Sequence, residues 1–498
     1  MKYIYCPAGR QSWANVALQL REYGFSPCIW LGDPVHDRFA EDNFANCPVL
    51  NFYRTNLGRV DGGKYKPGVF NTYVENKPFF ESLMIKTFDM MNRQDPLGQY
   101  EFETRKQVFY ALVLYFIDLI ENKKPDFALF SEAAHSPAQF ILYRLCRLQN
   151  ISTIEFSSGP SVFPVITPKI DGVRSAAQKD DLTVEREEIA NWVRSLGQDY
   201  TAAAPKYTIK KDRSPIKYFL KLLYKYGRES VRKANTANVN PTYMVKDCVD
   251  GCRAMSRYEW KLRKRLAARE AKIKRSYYTH VKDVDMKNKK FVYFPLHYQP
   301  ERTTNPEGGE YYDQFQALVK LRTLLDDNVG IYIKEHPAQF WPNRNGGCAR
   351  NPDYYRNLKS IAGICFVDTA HNAFELIDNS LLVATITGTV AVESVARGKP
   401  VLVFGDPWYK GMPGSVHIDE IPDSESLGRF LSRPENGHID DLVDFCHRIF
   451  STSIYGVVNP SNEKYFKSSM NQQIKDSAPI IAALIHSIMS SKIKAGVF

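Results

Sequence analysis

The stretch LLVATITGTVAVESVARGKPVLVFGD, residues 381–406, decides the fold of the second half of the chain. It reads as an apolar strand, a turn rich in threonine, a short helix and a second apolar strand. The same alternation precedes it, because the strand-like runs KFVYFPL, GIYIKEHP and ICFVDTA are separated by helical patterns. Strands that alternate with helices through short loops predict a doubly wound parallel sheet over residues 291–423.

The first half of the chain contains two similar units. The first reads as the strand KYIYCP, the helix SWANVALQLREYG and the strand FSPCIWLGD, and the second runs from DFALFSEAA to STIEFSS. Ser136 and Pro137 predict the start of the helix in the second unit, as an N-cap and a first-turn proline. We therefore expect a Rossmann-like domain over residues 1–164.

The remaining segments predict helices. Residues 165–290 are polar and basic, without strand alternation, so we expect a helical insertion or linker between the two halves. Residues 424–498 also read as helices. The predicted fold class is α/β, with two Rossmann-like domains, a basic helical insertion and a helical C-terminal tail, which describes the GT-B architecture. Such a fold does not by itself assign a chemistry.

Composition indicates a globular chain of two or three domains. The 498 residues are 44% hydrophobic, and the nine cysteines are scattered rather than arranged as a disulfide framework. The chain does not start with the apolar region of a signal peptide, and its most apolar helical stretch, residues 108–120, is too short to span a bilayer. We therefore expect a cytoplasmic protein.

The formal net charge of +11 has its source in one segment. The excess of Lys and Arg in residues 205–290 is larger than the net charge of the whole chain, which predicts an anionic partner. Residues 216–227, IKYFLKLLYKYG, mix apolar residues and lysines at near-helical spacing, which is typical of a helix on an anionic membrane. A solvated linker is the alternative. The segment has no zinc-finger, RRM or helix-turn-helix pattern, so we expect no nucleic acid partner.

Four polar residues follow the strand at residues 291–296. In an open parallel sheet, ligands bind beyond the carboxyl ends of the strands, where loop backbone and helix N-termini converge. We therefore predict that His297, Gln299, Glu301 and Arg302 face a cleft between the two halves. The alternative is a solvated surface loop shaped by its prolines.

The strand GIYIKEHP ends in a similar run: Lys334, Glu335, His336 and Pro337. The proline fixes the chain immediately after the imidazole. A histidine at the carboxyl end of a strand can bind a phosphate or protonate a leaving group. This run therefore predicts a second set of ligand-binding side chains.

The turn TITGT offers hydroxyl and backbone N–H groups where a helix begins, near Thr389. Thr387 and Gly388 lie in this turn, which suits an anion such as a nucleotide phosphate. Glu393, one helical turn further on, is either a ligand for ribose hydroxyls or a solvated helix residue. The pattern GxxxxGK[ST] does not occur in the turn, which disfavours a P-loop ATPase.

Three of these stretches together resemble a known family. YFPLHYQPERTTNPEGG, IYIKEHP and TITGTVAVESVARGKPVLVFGDPWY look like the capsule and lipopolysaccharide biosynthesis glycosyltransferases, whose relatives include β-Kdo transferases and sialyltransferases with an HP motif. The resemblance covers chiefly residues 291–409. It implies a GT-B fold, a CMP-activated 2-keto sugar acid (Kdo or a nonulosonic acid) as donor, and a growing surface polysaccharide or lipid-linked glycan as acceptor.

The resemblance also implies roles for individual residues. His336 and Pro337 match the HP motif, whose imidazole contacts the donor phosphate. Thr387, Gly388 and Thr389 stand where small hydroxyl residues bind the same phosphate, although some relatives have a serine pair there.

The resemblance extends to the carboxylates. Glu301 falls where Kdo transferases carry an aspartate, which makes it the candidate nucleophile of a retaining transfer. Glu132 or Glu155, at strand ends of the first half, could supply the base for the acceptor. The predicted catalytic residues are Glu301, His336 and Glu132, and the predicted donor-binding residues are His297, Gln299, Arg302, Lys334, Glu335, Pro337, Thr387, Gly388, Thr389 and Glu393.

We expect no metal and no other cofactor. The charge of the leaving phosphate can be met by His336, Lys334 and the helix that begins near Thr389. The pair Cys248 and Cys252 lacks a second pair at the spacing of a zinc site. Two alternatives remain open: a sugar-nucleotide epimerase or hydrolase of the UDP-GlcNAc 2-epimerase type, and a non-catalytic capsule-assembly binding protein.

Overall fold

The computed structural model describes residues 1–95, 100–160, 162–175, 184–198, 268–284, 286, 289–341, 346–433, 439–458 and 477–494. The predicted membrane-binding stretch at residues 216–227 lies outside the described residues, as does the cysteine pair at residues 248 and 252.

The described strands form two sheets. In chain order the strands are β1 (Lys2–Cys6), β2 (Ser26–Trp30), β3 (Phe127–Phe130), β4 (Ser152–Ser158), β5 (Val165–Ile170), β6 (Val173–Arg174), β7 (Phe291–Pro295), β8 (Gly330–Lys334), β9 (Ile364–Val367), β10 (Leu382–Thr385), β11 (Val401–Val403), β12 (Ser415–His417) and β13 (Ile454–Tyr455).

Helices surround both sheets. In chain order the described helices are α1 (Gln11–Glu22), α2 (Asp37–Asn43), α3 (Phe52–Asn56), α4 (Pro67–Glu75), α5 (Lys77–Gln94), α6 (Phe102–Lys123), α7 (Pro137–Leu148), α8 (Arg186–Gln198), α9 (residues 268–278), α10 (Gln314–Thr323), α11 (Pro352–Lys359), α12 (Ala373–Asn379), α13 (Val390–Ala396), α14 (Ser424–Leu431), α15 (Ile439–Ser451) and α16 (Ala478–Lys494). The predicted start of α7 is confirmed, because the Ser136 hydroxyl accepts from the Gln139 N–H at 3.4 Å.

The first sheet is centred on four parallel strands in the order β4-β3-β1-β2. Alternate residues of β1 face two different cores. Tyr3 and Tyr5 pack with the side that holds α1 and α16, whereas Ile4 and Cys6 pack with α5, α6 and α7. A parallel sheet covered by helices on both faces explains why these strands are apolar throughout.

The second sheet is entirely parallel, in the order β12-β11-β10-β7-β8-β9. Numbered from β7, this is the strand order 6-5-4-1-2-3 of a Rossmann fold. The chain reverses its direction of winding between β7 and β10, so a crevice opens beyond the carboxyl ends of those two strands. The predicted α/β class with two Rossmann-like sheets is confirmed.

Two of the predicted segment boundaries do not coincide with boundaries in the structure. β5 and β6 lie in residues 165–290, which we predicted to be helical, yet β5 pairs antiparallel with β4 and extends the first sheet. The sequence of β5, VITPKI, carries a proline and a lysine and so lacks the apolar alternation that would reveal a strand.

The C-terminal tail is also more than a set of helices. Its strand β13 pairs antiparallel with β5 at the edge of the first sheet. Of its helices, α15 packs on α8, and α16 packs on α1. The chain that leaves the second sheet therefore returns to the first one.

None of the described helices is long and apolar enough to cross a bilayer.

Candidate functional site

The loop after β7, residues 296–308, lies at the crevice of the second sheet and is held by two glutamine side chains. Gln314 accepts from the His297 N–H at 2.7 Å and donates to the His297 carbonyl at 3.2 Å. Gln339 makes the same pair of bonds with Gln299, at 2.8 and 3.0 Å. The two buried amides satisfy backbone groups that have no strand partner, which fixes the loop.

Gln299 has a positioning role in this loop. Its side-chain carbonyl accepts from the Glu301 N–H at 3.1 Å, and its amide donates to the Thr304 hydroxyl. The side chain is buried and its polar atoms are used within the loop. We predicted Gln299 as a donor ligand, but the structure has it hold Glu301 in place instead.

His297 is buried next to Glu301 and is neutral. Its Nε2 atom accepts from the Ile386 N–H at 3.3 Å and lies 3.1 Å from the Thr385 hydroxyl. A backbone N–H can only donate, so the proton of the neutral ring must be on Nδ1. Nδ1 lies 4.0 Å from a carboxylate oxygen of Glu301. Burial lowers the pKa of His297 to about 3, which keeps the ring uncharged.

Glu301 remains partly accessible, with 35% of its side chain exposed. Burial raises the pKa of Glu301 to about 7. A hydrogen bond from Thr303 and the charge of Arg302 oppose this rise in pKa, whereas the negative charge of Glu307 adds to it. A carboxyl group that is half ionised near neutral pH suits a nucleophile or a general base.

A salt bridge joins this loop to the first half of the chain. Arg302 Nη1 donates to Glu132 Oε2, and Glu132 lies just beyond the carboxyl end of β3. Burial raises the pKa of Glu132, but Arg302 and His135 outweigh it and leave the pKa below its ordinary value. Glu132 is therefore held as a carboxylate at the cleft.

Arg93, at the end of α5, also binds the loop. Its guanidinium donates to the Glu301 carbonyl at 2.8 Å, to the Asn305 carbonyl at 3.0 Å and to the His135 carbonyl. Our sequence analysis missed Arg93, because an arginine at the end of a helix carries no signal of a partner that lies 208 residues away.

The polar residues at the end of β8 point to opposite sides. Lys334 and His336 are partly exposed, whereas Glu335 has no exposed surface. Glu335 accepts from the Tyr355 hydroxyl at 2.8 Å and from Arg350 Nε at 3.2 Å. Successive strand residues face opposite sides, so the residue between Lys334 and His336 must face the core. The prediction that Glu335 binds the donor is therefore wrong.

His336 and Pro337 begin a short 3-10 turn, Pro337–Phe340. The Ala338 N–H donates to His336 Nδ1 at 3.1 Å, so the neutral ring carries its proton on Nε2. Nε2 is thus the ring atom that can donate to a phosphate. Pro337 is exposed and sets the start of the turn.

Lys334 and Glu393 lie close enough for each to affect the pKa of the other. Burial lowers the pKa of Lys334 to about 8, although Asp368 and Glu393 oppose the fall. Burial raises the pKa of Glu393 to about 7, and Lys334 opposes the rise. Glu393 is 9% exposed, so it is not the solvated helix residue that we considered as an alternative.

The turn after β10 packs directly against His297. A Cβ atom on Gly388 would lie 2.7 Å from the Thr385 hydroxyl and 3.2 Å from His297 Cε1, so a side chain there would clash. Thr389 is exposed at the start of α13. Within the described residues, the Thr387 hydroxyl is buried without a hydrogen-bond partner. The turn therefore presents two hydroxyl groups next to the crevice.

A cavity of about 230 Å³ lies between the two halves. Its lining combines charged side chains with an apolar and aromatic wall. The lining residues are Glu132, Ala133, His135, Phe156, Ser157, Ser158, Gly159, Pro160, Val162, Trp192, Leu196, Arg302, Thr303, Glu307, Thr387, Thr389, Val392, Pro407 and Trp408.

A charged cluster beside the cavity was missed in our sequence analysis. Lys169 on β5 donates to Asp406 at 2.8 Å, across the two halves. Burial raises the pKa of Glu307, although Lys169 and Arg302 oppose the rise. Burial also raises the pKa of Glu155, to about 7, and Lys169 opposes it. Glu307 lines the cavity and Glu155 does not, so Glu307 is the better placed of the two to meet a ligand.

Glu307 could have been found from the sequence. It lies in the same run of polar residues as Glu301, after a buried strand, and only its distance from the strand kept it out of the predicted set. Lys169 gave no such signal, because its segment did not read as a strand. In the described part of the chain, no group of three or more His, Cys, Asp and Glu side chains could hold a metal ion.

Residues 219–416 match the family model described as "Capsule polysaccharide biosynthesis protein". The matched range contains all three stretches on which the resemblance rests, so the resemblance is confirmed over this part of the chain. A comparison with curated protein sequences gives no match.

Several solved structures are similar at low identity. The chain resembles KpsC, a β-Kdo 2,7 transferase of Thermosulfurimonas dismutans, with 12% identity, 72% of this chain and 88% of that chain covered, and a TM-score of 0.27. It also resembles a UDP-GlcNAc 2-epimerase of Methanocaldococcus jannaschii, with 11% identity, coverage of 90% and 99%, and a TM-score of 0.23. Similarity at this level does not distinguish a transferase from an epimerase.

Proposed function

We propose that this protein is a glycosyltransferase that moves a 2-keto sugar acid, Kdo or a nonulosonic acid, from a CMP-activated donor to a growing surface-polysaccharide or lipid-linked acceptor. The observation that carries the proposal is the position of Glu301. It stands at the crevice of a Rossmann-type sheet, between a neutral imidazole and an arginine that is paired across the cleft. The match of residues 219–416 to a capsule biosynthesis family supports the same reading.

The donor phosphate would bind at the carboxyl ends of β8 and β10. Lys334 supplies positive charge, and His336 Nε2 supplies an N–H donor. Thr387 and Thr389 supply hydroxyl groups. These donors can meet the charge that develops on the leaving CMP without a bridging cation. We therefore expect transfer to persist in the presence of EDTA, and a loss of activity that added Mg²⁺ restores would contradict a metal-independent reaction.

The transfer would proceed in two displacements. A Glu301 carboxylate oxygen attacks the anomeric carbon of the sugar acid, and the bond from that carbon to the CMP phosphate oxygen breaks. An acceptor hydroxyl then attacks the same carbon, loses its proton to a base, and releases Glu301 as a carboxylate. Two inversions retain the anomeric configuration.

The base for the acceptor has three candidates. Glu132 lines the cavity, but its bridge to Arg302 lowers its pKa and so weakens it as a base. Glu155 has a raised pKa but does not line the cavity. Glu307 combines a raised pKa with a place in the lining. We therefore add Glu307 to Glu132 as a candidate base.

Two measurements test the proposal. CMP should raise the unfolding temperature of the protein, whereas UDP at the same concentration should have little effect. With a CMP-sugar acid present and acceptor withheld, intact-protein mass spectrometry should show an adduct of one sugar acid that maps to Glu301 and is absent in Glu301→Gln. A selective shift with UDP, together with turnover of UDP-GlcNAc, would instead favour the epimerase reading. An active sample with no adduct and an inverted product would reduce Glu301 to a base.

We also propose that the protein works at the cytoplasmic face of a membrane, through the basic segment at residues 205–290. The proposal rests on the charge and spacing of residues 216–227 alone. Co-sedimentation with vesicles should require anionic lipid and weaken as salt is added. Binding that is indifferent to both lipid charge and salt would leave the segment as a linker.

A further inference from the structure

The cavity has an aromatic wall that the donor contacts leave unused. Trp192 on α8 and Trp408 in the loop after β11 both line it, with ring centroids 6.3 Å apart and planes tilted by 41°. Phe163 and Phe450 pack behind them, at 5.5 Å from Trp192 and 6.2 Å from Trp408 respectively. The two indoles are therefore supported from behind and present a fixed surface to the cavity.

Trp408 is also held through its backbone. Arg174, on β6 of the first sheet, donates to the carbonyls of Trp408 and Pro407, the latter at 3.2 Å. Lys169 binds the neighbouring Asp406 at 2.8 Å. Two cations of the first sheet thus fix a loop of the second sheet, which positions the indole before any ligand arrives.

Two side chains that line this cavity each carry a buried polar atom without a partner. Within the described residues, the indole N–H of Trp192 and the hydroxyl of Thr387 are both buried without a hydrogen bond. Thr387 is 9% exposed, and both side chains line the cavity. Buried polar groups are rarely left unsatisfied, because each one costs free energy. The indole N–H requires an acceptor, and the hydroxyl can donate or accept.

A sugar ring matches this combination. An indole offers a broad apolar face with one N–H at its edge, and a neutral pyranose offers an apolar face of C–H groups with hydroxyls at its rim. A cavity of about 230 Å³ is below the usual range for a larger ligand. It suits one sugar residue better than an oligosaccharide. Arg302 of this lining is already paired with Glu132, and Glu307 adds a further carboxyl group, so the lining disfavours an anionic sugar.

We propose that Trp192 and Trp408 form the subsite that binds the terminal neutral sugar residue of the acceptor glycan. The proposal rests on the proposed transferase function, because it assigns the second substrate of that reaction. The sugar face stacks on the indoles, and a sugar hydroxyl accepts from the indole N–H. The Thr387 hydroxyl, whose proton is donated to the donor phosphate, can still accept a hydrogen bond from another sugar hydroxyl. The same cavity is lined by Arg302, Thr303 and Glu307, which belong to the loop that carries Glu301. A hydroxyl at the other edge of the ring therefore lies towards that loop.

The test uses the full chain and saturation-transfer difference NMR. The probes are methyl β-glycosides of glucose, galactose and N-acetylglucosamine, with methyl β-glucuronide as the anionic counterpart, each in the presence of CMP. We expect ring C–H signals from at least one neutral glycoside and none from the glucuronide. Those signals should vanish in Trp408→Ala. Trp192→Phe keeps a ring but removes the N–H, and it should weaken binding by at least threefold.

The thermal shift with CMP separates this proposal from the function on which it rests. CMP should stabilise the wild type, Trp192→Phe and Trp408→Ala to the same extent, which also shows that the variants are folded. If CMP stabilises all three but no neutral glycoside gives a signal, the subsite is wrong and the donor assignment stands. If CMP no longer stabilises the tryptophan variants, the aromatic wall binds the donor and not the acceptor. If the wild type gives a glycoside signal but CMP does not stabilise it, the subsite is supported and the CMP-activated donor is rejected.

Discussion

The pH dependence of kcat/KM should report the ionisation of Glu301. In the proposed mechanism Glu301 must be a carboxylate, and burial raises its pKa to about 7, so activity should rise with pH through that value. At pH 5.5 only roughly 3% of a group with that pKa is ionised. We therefore expect kcat/KM at pH 5.5 to be about thirtyfold below the value that full ionisation of Glu301 would give. An unperturbed glutamate would leave activity nearly constant over the same range.

The rise of kcat/KM with pH is the acid limb of the pH profile. Neighbouring charges should move the midpoint of this limb in known directions. The negative charge of Glu307 raises the pKa of Glu301, so Glu307→Gln should shift the limb to lower pH. The positive charge of Arg302 lowers that pKa, so Arg302→Gln should shift the limb to higher pH. Both variants will change the plateau, but the midpoint of the limb is measured independently of it.

Glu393→Gln is the matched control for these shifts. Its carboxyl group also titrates near 7, but it is not among the groups that move the pKa of Glu301. The assay is the initial rate of transfer at low donor concentration across pH 5 to 9, since kcat/KM reports the free enzyme. A limb that disappears in Glu393→Gln, or that stays in place in both Glu307→Gln and Arg302→Gln, would refute the assignment to Glu301.

Three further outcomes follow from the residues around β8. His336→Ala should lower kcat by about a hundredfold to a thousandfold, as when one donor to a developing negative charge is lost, and unchanged turnover would remove the imidazole from the site. At pH 8, CMP binding should take up a fraction of a proton, because an anion raises the pKa of Lys334 from about 8. Calorimetry in buffers of different ionisation enthalpy should detect this uptake, and Lys334→Arg should reduce it. Glu335→Gln should lower the free energy of unfolding in urea by about 3–5 kcal/mol, because it leaves the buried charge of Arg350 unpaired. Asp353→Asn, which breaks an exposed ion pair, should cost less than about 1 kcal/mol.

The second sheet was predictable because its pattern is local. Each strand of residues 291–403 is a short apolar run, and each is followed by polar residues that mark its carboxyl end. Since parallel strands end at one edge of a sheet, the sequence alone predicts that His297, Glu301, His336 and Thr387 lie at the same edge.

The directions of the side chains at that edge were harder to predict from the sequence. The run Lys334, Glu335, His336 predicts three ligands if it is read as a loop, but only two if it is read as the end of a strand. The fully buried Glu335 shows that the strand geometry persists through this run. Gln299 was misjudged for a different reason, since its bonds to Glu301 and Thr304 depend on how the loop folds back on itself.

Contacts between the two halves could not be read from one sequence. The bridge from Arg302 to Glu132 joins residues 170 positions apart, and that from Lys169 to Asp406 joins residues 237 apart. Neither pair has a spacing rule, because each depends on how two separate sheets face each other. The charges were visible in the sequence, but their partners were not.

The position of Glu301 depends on contacts from both halves of the chain. Glu301 belongs to the second sheet by its position in the chain. Its carbonyl is held by Arg93 of the first half, and its neighbour Arg302 is paired with Glu132 of the first half. Burial raises the pKa of Glu301, whereas the charge of Arg93, which belongs to the first half, lowers it. Each half therefore contributes to the surroundings of this carboxyl group: the second sheet supplies the loop, and the first half supplies Arg93 and Glu132, which hold the loop.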